Sequence, residues 1–148
     1  MSQWQYQSTP FLDPSEDTVG FVYIITNLVD GRRYIGKKNF WGTKTSQKTV
    51  VVKSTGLKKK KKIRTKIPSD WKTYYGSNDE LKKDVERLGA DNFSREIVRL
   101  CLSKGEMSYF EARYQFEHDV ILHPSKFYNV WIMVRTHRVH IKHLVDTQ

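Results

Sequence analysis

Two short apolar runs constrain this chain most. Gly20-Phe21-Val22-Tyr23-Ile24-Ile25 and Arg33-Tyr34-Ile35-Gly36-Lys37-Lys38 flank the stretch Thr26-Asn27-Leu28-Val29-Asp30-Gly31. β-branched and aromatic residues fill both runs, and the Asp30-Gly31 pair supplies a residue tolerant of positive φ, so the pattern predicts an antiparallel β-hairpin. Its pairing is local, and each strand carries one tyrosine, Tyr23 and Tyr34.

Along the rest of the chain, residues 1–18 mix polar residues with Pro10 and Pro14 and show no sustained period. They read as an irregular arm from which Trp4, Tyr6 and Phe11 pack back on the domain. A basic insertion over residues 39–67 contains the run Lys58-Lys59-Lys60-Lys61-Lys62. Five like charges in a row repel one another, which predicts a solvated, mobile tip or an arm that orders on a polyanion. Ser77 and Glu80 suggest a capping box for a helix with Leu81, Val85 and Leu88 on one stripe, ended by Gly89. Phe93 to Leu102 reads as a third strand. A second helix follows from about Glu106 to Leu122, with Met107, Phe110, Tyr114 and Ile121 on its core face and Pro124 as its stop. Phe127 to Trp131 is short and aromatic, and Val139, Ile141 and Leu144 suggest a last strand or short helix. The order β, β, α, β, α implies a small α+β domain over residues 19–131, with a mostly antiparallel three-stranded sheet flanked by helices, and a C-terminal extension over residues 132–148.

A chain of 148 residues suits one domain. Lys and Arg number 26 against 16 Asp and Glu, giving a net charge of +10. Such a balance favours a polyanionic partner, with nucleic acid foremost and an acidic protein or RNA as the alternative. No apolar segment is long enough to span a bilayer and no charged-then-apolar leader opens the chain, so a soluble protein of the cytoplasm is expected, with no membrane partner. Cys101 lies in the apolar run Ile97 to Leu102 and reads as a buried thiol. The five histidines make no zinc motif and take no catalytic role.

On the second helix Glu111 heads a row with Gln115 and His118 at the border of the apolar stripe. A carboxylate at such an edge either faces solvent or looks into a cleft where it can bind a divalent cation.

The residues Val22-Tyr23-Ile24 and Tyr34-Ile35-Gly36, in this order, resemble the two triplets of the GIY-YIG nuclease superfamily, the second literally. The wider pattern of Ser69-Asp70-Trp71, Tyr74-Tyr75-Gly76-Ser77 and Asn92-Phe93-Ser94-Arg95 resembles a bacteriophage subgroup of homing or free-standing endonucleases. The resemblance implies a metal-dependent DNA endonuclease acting on double-stranded DNA with Mg²⁺ or Mn²⁺. Tyr23, Tyr34, Lys37, Glu111 and Asn129 would be its catalytic residues and Glu111 its metal ligand. Of the phenols, Tyr34 would help to activate the attacking water and Tyr23 would contact the phosphate. Trp71, Arg95 and Gln115 become candidate structural or phosphate contacts, although Trp71 on its own chemistry reads as a core anchor. The family carries an arginine soon after the second triplet. Here the nearest cations are Lys38 and Lys44, with Arg64 further along the chain as a substitute. Lys58, Lys59, Lys60, Lys61 and Lys62 would grip DNA. The alternative is a weak or inactive nucleic-acid-binding protein of the same fold.

Overall fold

The Asp30-Gly31 turn closes as its chemistry dictates. In a computed structural model, which describes residues 2–146, Gly31 has φ +82° and its N–H donates to the Asn27 carbonyl at 2.8 Å. The turn joins β3 (Gly20–Asn27) to β4 (Arg33–Asn39) in an antiparallel register that sets Tyr23 opposite Gly36 and Ile25 opposite Tyr34. β7 (Phe93–Cys101) pairs antiparallel with the other side of β3, with a bulge between Val22 and Tyr23.

The sheet does not stop at these three strands. β1 (Trp4–Tyr6) lies parallel to β7 and β2 (Thr9–Pro10) pairs with β1, giving the order β2-β1-β7-β3-β4. The N-terminal arm expected to be irregular is therefore part of the sheet. Three residues are too few to show a period in sequence, but they cover the backbone edge that β7 would otherwise present to solvent. Trp4 is held as well, its Nε1 donating to the Trp71 carbonyl at 2.7 Å.

Side-chain alternation along β3 splits the core between the two sheet faces. Phe21, Tyr23 and Ile25 join Trp4, Phe40, Trp71, Leu81, Phe93, Ile97 and Tyr128 on one face. Val22 and Ile35 join Cys101, Met107, Val120 and Phe127 on the other. Burial pushes the Cys101 thiol up to about 12, so it stays protonated and inert.

Helix α1 (Asp79–Leu88) is capped by Asn78, whose side chain accepts from the Leu81 N–H at 2.9 Å, rather than by Ser77. It ends at Gly89, φ +92°. Helix α2 (Lys104–Glu117) starts at Ser103, whose hydroxyl accepts from the Glu106 N–H. It ends before the expected Leu122, because Asp119 turns left-handed at φ +50° and the chain continues as a 3₁₀ turn over Val120–Leu122. Ile121, expected in the core, is exposed. The tail forms a 3₁₀ segment over Arg138–Leu144 against the start of α2, where His143 Nε2 lies 2.6 Å from the buried Glu106 carboxylate. Among the described residues no helix is long and apolar enough to cross a membrane.

The segment over residues 39–67, expected to be a basic insertion, carries a two-stranded ribbon, β5 (Trp41–Val51) against β6 (Lys58–Pro68), rather than a loop. Strand geometry resolves the lysine run's self-repulsion: consecutive lysines point to opposite faces, and on each face neighbours along the strand are ~7 Å apart. Only Lys48 and Lys61 set two like charges directly across from one another.

Candidate active site

β4 is an edge strand of the five-stranded sheet, so its outward backbone groups need partners other than a strand of that sheet. At Arg33 backbone supplies them, its N–H donating to the Lys126 carbonyl and its carbonyl accepting from the Tyr128 N–H, and further along the strand side chains do. Asn129 Oδ1 accepts from the Ile35 N–H at 3.1 Å while its Nδ2 donates to the Ile35 carbonyl at 2.9 Å. Gln115 Nε2 donates to the same carbonyl at 2.9 Å. Two residues along the strand, the Lys37 N–H serves the Glu111 carboxylate, and Lys37 Nζ donates to Ser108 Oγ at 2.8 Å. Ser108, Glu111 and Gln115 are one row of α2 at offsets of three and four, so the helix is fastened lengthwise to the strand that carries Tyr34 and Gly36.

This fastening brings Tyr34, Glu111, Gln115 and Asn129 to the wall of one open cleft of about 490 Å³. Ser77, Asn78 and Asp79 from the start of α1 line its other side, and Val130, Trp131 and Met133 complete it. The Tyr34 hydroxyl is 3.0 Å from Ser77 Oγ. Burial raises the Tyr34 phenol above its ordinary range, partly offset by that hydrogen bond. Burial also raises Glu111, to about 7, against the opposing pull of the Lys37 ammonium and amide. A carboxyl half-protonated near neutrality at the wall of an open cleft is a perturbed group of the kind that functional sites contain.

Tyr23 stands behind this wall rather than in it. It is 1% exposed, with its ring centroid 6.2 Å from that of Tyr34, and burial with the neighbouring phenols raises its pKa well above the ordinary value. Gly36 makes that close packing possible. A Cβ at Gly36 would meet the Tyr23 hydroxyl, come within 2.7 Å of Tyr23 Cζ and within 2.9 Å of Tyr34 Cε1. Gly36→Ala therefore displaces both rings from a packed face, and is expected to destabilise the fold by ~1–3 kcal/mol, as overpacking does. Urea titration would measure it; a variant as stable as the wild type would show that the tyrosines do not hold each other as described.

Trp71 and Arg95 lie elsewhere. Trp71 is 3% exposed and packs edge-on against Phe40 at a centroid distance of 5.0 Å. Arg95 is 2% exposed between the Trp4 and Tyr75 rings and donates to the carbonyls of Lys72, Tyr74 and Ser2. Both hold the core together. Lys38 pairs with Asp70 at 2.5 Å and lies over the Tyr74 ring. Lys44, Lys58, Lys59, Lys60, Lys61, Lys62 and Arg64 all stand on the ribbon and do not line the cleft. Sequence reasoning gave Ser77 only a capping role and overlooked Asp79 and Trp131. The signal for Ser77 and Asp79 was Asn78 between them: an N-cap residue as good as serine starts the helix one residue later and frees Ser77 for Tyr34.

Among the described residues no group of three or more His, Cys, Asp or Glu side chains could hold a metal ion. Glu111 by itself fits a hard divalent cation such as Mg²⁺, which keeps most of its waters and takes one or two carboxylates plus substrate phosphate oxygens. Beside it, Gln115 Oε1 is buried without a hydrogen-bond partner.

The family model of the segE endonuclease GIY-YIG domain matches residues 4–132. Comparison with curated proteins and with solved structures gave no match. The match spans the whole sheet, both helices, the ribbon and every cleft residue but Met133, and this chain belongs to the GIY-YIG nuclease superfamily.

Proposed function

We propose that this protein is a metal-dependent endonuclease that hydrolyses phosphodiester bonds of double-stranded DNA in the cleft beside β4. The observation that carries this reading is Glu111, an acid with a pKa raised to about 7, sharing one cleft with the Tyr34 hydroxyl on a protein of net charge +10. A divalent cation bound at Glu111 would polarise the scissile phosphate and its leaving oxygen. Lys37 adds positive charge beside that carboxylate. Tyr34 keeps its proton at neutral pH, since an ordinary phenol titrates at ~10 and this one is raised. Its hydroxyl, oriented by Ser77, hydrogen-bonds the attacking water or a phosphate oxygen rather than acting as a base unaided. Asn129 and Gln115 are positioning residues, holding β4 so that Tyr34 and Glu111 keep their relation.

Protons and the cation compete for Glu111. Only the ionised form binds metal, so nicking of supercoiled plasmid with limiting Mg²⁺ is expected to rise with pH through about 7. More Mg²⁺ moves the midpoint to lower pH, and a chelator abolishes the reaction. No nicking with either metal at any pH, or full activity in Glu111→Gln, would refute the proposal. One observation favours a second reading, DNA binding without cleavage: among the described residues no Lys or Arg lines the cleft. The same assay decides between them.

A further inference from the structure

The ribbon is absorbed by neither the cleft nor the core. Its eleven pairs run without a bulge from Trp41 opposite Pro68 to Val51 opposite Lys58. At ~3.4 Å per residue it spans roughly 35 Å, about one turn of B-DNA. The base is anchored: Phe40 is buried, Trp41 Nε1 donates to the Thr18 carbonyl at 2.9 Å, and Lys66 lies over the Trp41 ring while bonding the Glu16 carbonyl. Beyond the base nearly every residue is exposed.

Directly opposed residues share a face, so the register sorts the ribbon's side chains. On one face β6 sets Lys58, Lys60, Lys62 and Arg64 in a single row, and β5 sets Thr49, Gln47 and Thr45 opposite the last three in that order. The opposite face is mixed: Ile63 and Val50 are partly covered there, and its cations, Lys44, Lys48, Lys59 and Lys61, are divided between the two strands. The stacking of Lys66 on Trp41, both on the first face, agrees with this sorting.

We propose that the ribbon enters the major groove of double-stranded DNA with the first face inward, the Lys58–Arg64 row following one phosphate strand and Thr45, Gln47 and Thr49 meeting base edges. The major groove of B-DNA admits a two-stranded ribbon, and Gln and Thr are side chains that hydrogen-bond base edges there. A row of cations every ~7 Å beside a row of neutral hydrogen-bonding groups divides phosphate positioning from base readout between the two strands. The ribbon is then the sequence-preferring element of the substrate site, which rests on the endonuclease reading for its purpose but not for its measurement.

The test is binding of a labelled DNA duplex in the presence of a chelator, so that cleavage plays no part. Two triple variants remove the same charge: Lys60→Gln with Lys62→Gln and Arg64→Gln on the first face, and Lys48→Gln with Lys59→Gln and Lys61→Gln on the other. The first is expected to flatten the slope of log affinity against log salt by about 2–3, since each phosphate contact contributes ~0.9, and the second by less than about one. Gln47→Ala is expected to change the ranking of duplex sequences while leaving the slope alone. An RNA duplex, whose deep, narrow major groove excludes side chains, should compete poorly. Equal slopes for the two triples, or equal competition by RNA duplex or single strand, would overturn the proposal, as would no binding by the wild type. If the first triple loses its fold, Lys62→Gln alone, compared with Lys61→Gln, carries the same contrast at about one unit of slope.

Discussion

Glu111→Gln is expected to abolish plasmid cleavage and to make the protein more stable at neutral pH. Glutamine keeps the shape of the side chain and an oxygen for the Lys37 N–H, but removes the charge that a cation needs. Loss of one preorganised charge-stabilising group costs about 10²–10³-fold in rate, and loss of the metal ligand costs at least as much. Stability moves in the other direction. The carboxyl titrates at about 7 in the fold against 4.5 when free, chiefly through burial, so the folded state holds the proton more tightly than the unfolded chain does. The resulting stabilisation is complete below the unfolded value and is lost as pH rises from 4.5 through about 7. Above neutrality the wild type carries an ionised, partly desolvated carboxylate that the variant lacks. At ~1.4 kcal/mol per pH unit the ceiling is about 3 kcal/mol, and the site's opening to solvent lowers it to ~1–2 kcal/mol. Melting curves at acid and mildly alkaline pH should separate only at the alkaline end, by several degrees. Coincident curves throughout would mean that Glu111 is solvated like any surface acid.

Trp71→Ala is expected to be the most damaging single change to the fold, at ~3–5 kcal/mol. Domains of this kind have only ~5–15 kcal/mol in total, so the variant should be partly unfolded at ambient temperature. The ring lies against Phe40 at 5.0 Å, Phe11 at 5.9 Å and Phe21 at 6.2 Å, joining the arm, the ribbon base and the sheet. Trp71→Phe keeps part of this contact and should lower the melting temperature while leaving the salt dependence of DNA binding unchanged. A Trp71→Phe protein of normal stability that binds DNA weakly would instead make Trp71 a nucleic-acid contact.

These two residues show what a sequence carries. Glu111 was set at the edge of the apolar stripe by its row on α2 and singled out from a solvated acid by the family resemblance, and Trp71 was marked by the burial that a large aromatic seeks. Neither required distant partners to be known. Asn129 was marked by resemblance alone, and its work became visible only as two hydrogen bonds to Ile35, 94 residues earlier. The lysine run is the converse case. Read as a line of charges it predicts a mobile tip, yet paired with Trp41–Val51 it alternates between two faces and forms a strand. Tyr23 and Tyr34 are symmetric in the hairpin sequence, but the core covers one and the cleft exposes the other.

The sequence by itself determined the elements whose causes are local: the β3–β4 hairpin through Asp30-Gly31, the Gly89 stop, the third strand and the α+β order. Tertiary structure decided whatever depends on partners far along the chain. It gave β7 a parallel neighbour at Trp4–Tyr6, fastened the outer edge of β4 with Asn129, Gln115 and Glu111, and turned Arg95 inward. The physical reason is that local conformation follows from φ, ψ and side-chain period within a few residues, whereas a buried backbone N–H or C=O accepts any suitable partner that the completed fold brings within reach.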